Sequence, residues 1–83
     1  MTRYSLAISE EVRQQLRVLP KDLRIRIGRK LEDLQEGLAG DVKKLAAMER
    51  KYRLRVGNHR VLFRLEGNQI SVYAVKDRKE AYE

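Results

Sequence analysis

The sequence predicts an α+β domain, a mainly antiparallel sheet with two N-terminal helices packed on one of its faces, in the order β-α-α-β-β-β(-β). Three observations carry this. Residues 51–76 alternate apolar and polar side chains and are broken twice by Gly-Asn, at Gly57-Asn58 and Gly67-Asn68, the signal of consecutive two-residue hairpins. Residues 10–38 carry apolar side chains at helical spacing, split by the lone Pro20. The chain of 83 residues contains no repeat, linker or low-complexity stretch, so residues 1–83 form a single domain.

Tyr4, Leu6 and Ile8 alternate in residues 3–8 and predict a first strand with one buried face. Ser9 then suits an N-cap. Glu10 and Glu11 follow in a first turn, where carboxylates complement the helix dipole, and Val12, Leu16 and Leu19 recur on one side of a short helix ending near Leu19. Pro20 ends that helix and opens the next, because its fixed φ and missing N–H are harmless in a first turn.

The second helix carries the stripe Leu23, Ile27, Leu31, Leu34 and Leu38, with Arg24, Arg26, Arg29, Lys30, Glu32 and Glu36 mostly elsewhere; Gly37 and Gly40 close it. Gly28 interrupts its interior, either to let the helix pack closely on the sheet or as a tolerated cost of roughly 1 kcal/mol against Ala. Residues 41–45 predict a short, lysine-rich strand, and residues 46–50 a turn or loop. Three strands follow, at about 51–56, 59–66 and 69–76.

Two-residue loops dictate a register. Around Gly57-Asn58, Val56 pairs with His59, Arg55 with Arg60, Leu54 with Val61, Arg53 with Leu62, Tyr52 with Phe63 and Lys51 with Arg64. Around Gly67-Asn68, Leu65 pairs with Ile70, Arg64 with Ser71, Phe63 with Val72, Leu62 with Tyr73, Val61 with Ala74 and Arg60 with Val75. The two registers agree on the faces. One holds Tyr52, Leu54, Val56, Val61, Phe63, Leu65, Ile70, Val72 and Ala74 and receives the helices. The other holds Lys51, Arg53, Arg55, Arg60, Arg64, Ser71 and Tyr73, with Leu62 and Val75 among them.

Charge gives that second face its meaning. The chain has 19 Lys plus Arg against 12 Asp plus Glu, a formal +7, with a pI near 10.1. From Arg50 to Arg64 there are six basic residues and no acidic one. A sheet face that merely meets solvent carries mixed signs. This one sets Arg55 against Arg60 and Lys51 against Arg64, at a cost of up to about 1 kcal/mol per pair. An arginine-lined face suits a polyanion, because the guanidinium fork binds phosphate oxygens bidentately, and Tyr73 or Tyr82 can stack on a base. Lys51, Arg64 and Tyr73 are therefore candidate RNA- or phosphate-binding residues beside the arginines.

Composition also excludes. Without Cys, and with one His, there is neither a disulfide framework nor a thiolate or His-rich metal site, and no cofactor is called for. No apolar run approaches the roughly 18 residues of a membrane span, and the N-terminus lacks a signal peptide's apolar core, so a soluble, cytoplasmic protein is expected, with no membrane partner.

Two stretches then show a family resemblance. "YRLRVGNHRVLFRLEGNQISVYAVKDRKEAY" resembles the C-terminal half of RelE/ParE superfamily toxins of type II toxin–antitoxin systems, closest to the RelE branch. Tyr4, Leu6, Ile8, Ser9, Glu11, Val12 and the LPKDLR junction resemble the N-terminal half. The resemblance covers nearly the whole chain. It implies the compact RelE-like domain, an acidic cognate antitoxin, and a toxin that inhibits translation by cutting mRNA on the ribosome, among rRNA contacts.

The RelE branch needs no metal. The ribose 2′-OH attacks the adjacent phosphate and leaves a 2′,3′-cyclic phosphate and a 5′-OH. By position, the resemblance makes Arg53, Arg55, Arg60, Arg78 and Tyr82 the catalytic set, with Arg60 and Arg78 stabilising the phosphorane and Tyr82 orienting or stacking on the base. One departure matters. Where RelE-type enzymes carry Lys in the hairpin as a general base, this chain has Arg53 and Arg55, and arginine stays protonated. Lys51, His59, Asp77, Glu80 and Tyr82 are nominal proton acceptors, none of them assigned. Two other readings share the charge and the fold: a ParE-like inhibitor of DNA gyrase, and a non-catalytic basic RNA-binding module.

Overall fold

The computed structural model describes residues 3–46 and 49–77. Its elements run β1 (Ser5–Ile8), α1 (Glu10–Arg17), α2 (Lys21–Leu34), β2 (Val42–Ala46), β3 (Lys51–Val56), β4 (His59–Glu66) and β5 (Gln69–Asp77). The five strands form one sheet in the order β1-β5-β4-β3-β2. β1 lies parallel to β5, while the β2–β3, β3–β4 and β4–β5 pairs are antiparallel.

Local chemistry sets the helix boundaries. Ser9 caps α1, its hydroxyl accepting the Val12 N–H at 3.2 Å, which satisfies one of the amides a helix start leaves without an intrahelical partner. Pro20 is the N-cap of α2, with ψ 147°. α2 stops at Leu34, one turn earlier than its apolar stripe predicts. Leu38 takes φ +61° and its N–H bonds the Leu34 carbonyl at 2.9 Å. It still packs against the core, delivered by a turn rather than by helical phase.

Gly28 is exposed, and a Cβ built on it meets nothing within 4 Å. The glycine therefore serves no close approach to the sheet.

The core is one layer between the two helices and one sheet face. Val12, Ile27, Leu31 and Leu34 from the helices meet Leu54, Val56, Val61, Phe63, Leu65, Ile70 and Val72 from the sheet, all buried. The Tyr52 ring stacks on Phe63 at 5.5 Å between centroids. Among the described residues, no helix is long and apolar enough to cross a membrane.

The β3–β4 register is the one the Gly57-Asn58 turn dictates, from Lys51–Arg64 to Val56–His59. The β4–β5 register follows expectation only as far as Phe63–Val72. A β-bulge then shifts it, so that Leu62 pairs with Ala74, Val61 with Val75, Arg60 with Lys76 and His59 with Asp77. The expected pairs Leu62–Tyr73, Val61–Ala74 and Arg60–Val75 are thereby corrected, and Ala74 and Val75 exchange faces.

The cause lies outside the hairpin. β1 accompanies β5 only as far as the pair Ile8–Val72. Beyond it the Val75 N–H is taken by the Gln15 side-chain carbonyl of α1 at 3.1 Å, while Val75 packs on the core. An extra residue in the strand lets β5 turn the larger apolar side chain of the pair inward.

Candidate nucleic-acid interface

Residues in register across neighbouring strands point to the same face, with Cα atoms roughly 4.5–5.5 Å apart in an antiparallel pair. On the side away from the helices this produces three rows. The first is Arg55–Arg60–Lys76 across β3, β4 and β5. The second is Lys43–Arg53–Leu62–Ala74, starting on β2. The third is Lys51–Arg64–Ser71. Successive rows lie about 7 Å apart, two residues along a strand. Leu62 and Ala74 make an apolar strip between two cationic rows.

Tyr73, the extra residue of the bulge, lies between the second and third rows. The Arg64 guanidinium carbon is 5.3 Å from its ring centroid and the Lys51 Nζ 6.0 Å, both within cation–π range. Lys51 also binds Glu49, Nζ to Oε1 at 3.0 Å. That hydrogen bond, then the Lys51 charge, lowers the Glu49 pKa below the ordinary carboxylate value.

Arg53 is 18% exposed and faces Asp41 at 3.9 Å. Its buried Nε makes no hydrogen bond among the described residues, a donor available to an incoming acceptor. Asp41 is tied down in turn, its carbonyl accepting the Arg55 N–H at 2.9 Å.

The structure thus brings together Arg53, Arg55 and Arg60, with Lys51, Arg64 and Tyr73 alongside. Arg78 and Tyr82, together with Glu80, lie outside the described residues. Sequence reasoning missed two members of the face, Lys43 and Lys76. Lys43 depends on the β2–β3 register, which no tight turn announces. Lys76 depends on the bulge, for which one signal exists: valine at 75 is a better core residue than alanine at 74.

Two nominal proton acceptors are on the wrong side. His59 and Asp77 pair with each other, Nε2 to Oδ2 at 4.0 Å, on the helix-covered face. There they line a groove of about 380 Å³ with Gln15, Val18, Leu19 and Val75. The sheet separates them from the arginines. Among the described residues, no group of three or more His, Cys, Asp or Glu side chains is gathered to hold a metal ion.

Two helices on one face of a five-stranded sheet, with a cationic face opposite, define a RelE-like toxin domain. The family model described as ParE toxin of the type II toxin–antitoxin system parDE matches residues 6–82, and the chain belongs to this family. Among solved structures, it is similar to the archaeal RelE–RelB complex of Pyrococcus horikoshii, at 27% identity over 96% of this chain and 100% of that one, with a TM-score of 0.83.

It is also similar to the RelB–RelE antitoxin–toxin complex of Methanococcus jannaschii, at 29% identity over 92% and 94% of the two chains, with a TM-score of 0.76. The isolated RelE toxin of Escherichia coli shares the fold, at 19% identity over 95% of this chain and 88% of that one and a TM-score of 0.78. No curated protein matches the sequence significantly.

Proposed function

We propose that this toxin is a ribosome-dependent mRNA endoribonuclease that arrests translation and is neutralised by a cognate acidic antitoxin. The observation that supports it most is the row Arg55–Arg60–Lys76 beside half-buried Arg53 on the solvent face. An RNA phosphate seated on that row would meet cationic side chains from three adjacent strands. The likeness to archaeal RelE at 27% and 29% identity supports the same reading.

In this reading the backbone phosphate lies on the arginines while a base covers the strip of Leu62, Ala74 and Tyr73. The 2′-OH attacks the adjacent phosphorus, the P–O5′ bond breaks, and negative charge gathers on the phosphorane oxygens. Arg60 and Arg78 stabilise that charge, with Arg53 and Arg55 orienting the phosphate and Tyr82 the base. Losing a comparable donor costs about 10²–10³ in rate. Arg78 and Tyr82 are assigned from the family resemblance.

The antitoxin enters by charge. An acidic, partly helical segment lying over the arginines, or displacing Tyr82, silences the toxin, with encounter speeded by the +7 charge and slowed by salt. Affinity that ignores both salt and loss of the arginines contradicts this.

The deciding experiment is in vitro translation with the purified protein, mRNA ends being read by primer extension and Arg60→Ala serving as control. Cleavage within ribosome-occupied codons, lost in the control, is expected. Intact mRNA with normal translation sinks the nuclease reading. The ParE family match favours one second reading, a gyrase inhibitor, and a supercoiling assay then tests it.

A further inference from the structure

The open face of the sheet holds only part of the positive charge. From Arg13 to Lys30 the chain carries seven basic residues and one acidic, Asp22. All seven are exposed, and five of them lie on α2: Lys21, Arg24, Arg26, Arg29 and Lys30. The helices cover the side of the sheet away from Arg53, Arg55 and Arg60. This second cationic surface therefore looks in the opposite direction.

Helix stability does not explain the placement. α1 follows its macrodipole, with Glu10 and Glu11 in the first turn and Arg17 in the last. α2 runs against its own, with cations from Lys21 to Lys30, then Glu32 and Asp33 in a last turn that has no basic residue. Internal pairing does not explain it either. Among the described residues, ion pairs occupy Arg3, Lys51, Arg53 and His59, and no cation of α2 takes part in one. Asp22 and Asp33 share a groove with Arg26, Arg29 and Lys30, where the cations outnumber them. A neighbouring groove is lined by Lys21, Arg24 and Ile25 without a carboxylate.

The chemistry of the surface is that of a phosphate binder. Three of the five cations are arginines, whose planar forks match phosphate oxygens. Ile25, 46% exposed, is the one large apolar side chain that α2 leaves to solvent, whereas a protein helix docks through a stripe of apolar anchors.

We infer that the outer surface of α2 is a second RNA-binding surface, which seats the sugar–phosphate backbone of folded ribosomal RNA while the open sheet face takes the mRNA. This rests on the nuclease reading above. One extended strand lying on the sheet leaves the helix cations unmatched. A folded RNA, with phosphates on both walls of a cleft, meets both sides of a domain 32 × 26 × 23 Å across. The two surfaces meet at one edge: Arg26 Nη1 lies 3.3 Å from the point where a Cβ on Gly57 would stand, beside the turn that joins the strands of Arg55 and Arg60. Affinity for the ribosome and the cutting of mRNA are thereby assigned to different faces.

The test measures binding of the purified protein to vacant ribosomes over a series of salt concentrations, and single-turnover cleavage of mRNA on programmed ribosomes. The double variant Arg24→Gln, Arg29→Gln is expected to bind vacant ribosomes more weakly, with the slope of log affinity against log salt reduced by about 2. At saturating ribosome concentration it is expected to cut at the wild-type rate, only the concentration required being higher. Arg24→Lys with Arg29→Lys keeps the charge and is expected to keep the wild-type slope. Lys21→Gln with Lys30→Gln carries the test if the first variant folds poorly.

Wild-type affinity and slope in the glutamine variants overturn the inference and leave α2 to an acidic protein partner. A variant that binds ribosomes as wild type does but cuts more slowly at saturation also overturns it, because α2 then serves the chemistry rather than the docking. Helix-dependent ribosome binding by a wild-type protein that leaves mRNA intact is a different result: it sinks the nuclease reading and keeps the ribosomal surface.

Discussion

Arg55 and Arg60 stand directly opposite each other on the exposed face of the β3–β4 hairpin. Like charges so placed destabilise a strand pair by up to about 1 kcal/mol, and Lys76 extends the row on the other side of Arg60. Arg55→Glu is therefore expected to stabilise the free protein by about 0.5–1 kcal/mol in urea denaturation while weakening RNA binding. A variant less stable than wild type contradicts the repulsion.

Gly28 offers a gain without a functional penalty. It is exposed in the interior of α2, where an added Cβ touches nothing within 4 Å. Gly28→Ala is expected to stabilise the protein by about 0.5–1 kcal/mol through helix propensity, with mRNA cleavage unchanged. Destabilisation on thermal melting would show that the position packs against something after all.

The cap of α1 is a local contact with a measurable worth. Ser9→Ala leaves the Val12 N–H without its 3.2 Å acceptor and is expected to cost about 1 kcal/mol. Ser9→Asp keeps an acceptor there and is expected to restore most of the loss. Equal stability of the alanine and aspartate variants would mean that the cap contributes nothing.

The Glu49–Lys51 pair gives stability an acid limb. The Lys51 hydrogen bond, chiefly, lowers the Glu49 pKa in the folded protein. Its contribution is therefore full above the unfolded value and lost as pH falls through the folded one. Wild type and Glu49→Gln are expected to differ slightly near neutral pH and to converge in acid. The difference is small because the glutamate is solvent-exposed. A gap that stays constant across the acid range rules the linkage out.

Much of the site is legible in the sequence, because it sits where local rules are strong. Gly57-Asn58 sets the pairing of β3 with β4, and that register alone gathers Arg53, Arg55 and Arg60 on one face and consigns His59 to the other. Ser9 declares its cap. The end of α2 is less legible, because the apolar period runs on to Leu38 while the backbone leaves the helix after Leu34. Hydrophobic spacing records which residues reach the core, and a turn can deliver one as well as a helix can.

Period-two alternation and two Gly-Asn turns determine, from sequence alone, a sheet with one apolar and one cationic face. They do so because a tight turn and a side chain's solubility are properties of neighbours along the chain. The bulge at Tyr73 was decided only by tertiary structure. β1 stops alongside Val72, and the Gln15 side chain of α1 takes the Val75 amide at 3.1 Å. Both partners are more than fifty residues away in sequence. A one-residue shift exchanges every side chain beyond it between faces, so those distant contacts seat Val75 in the core and put Lys76 beside Arg60.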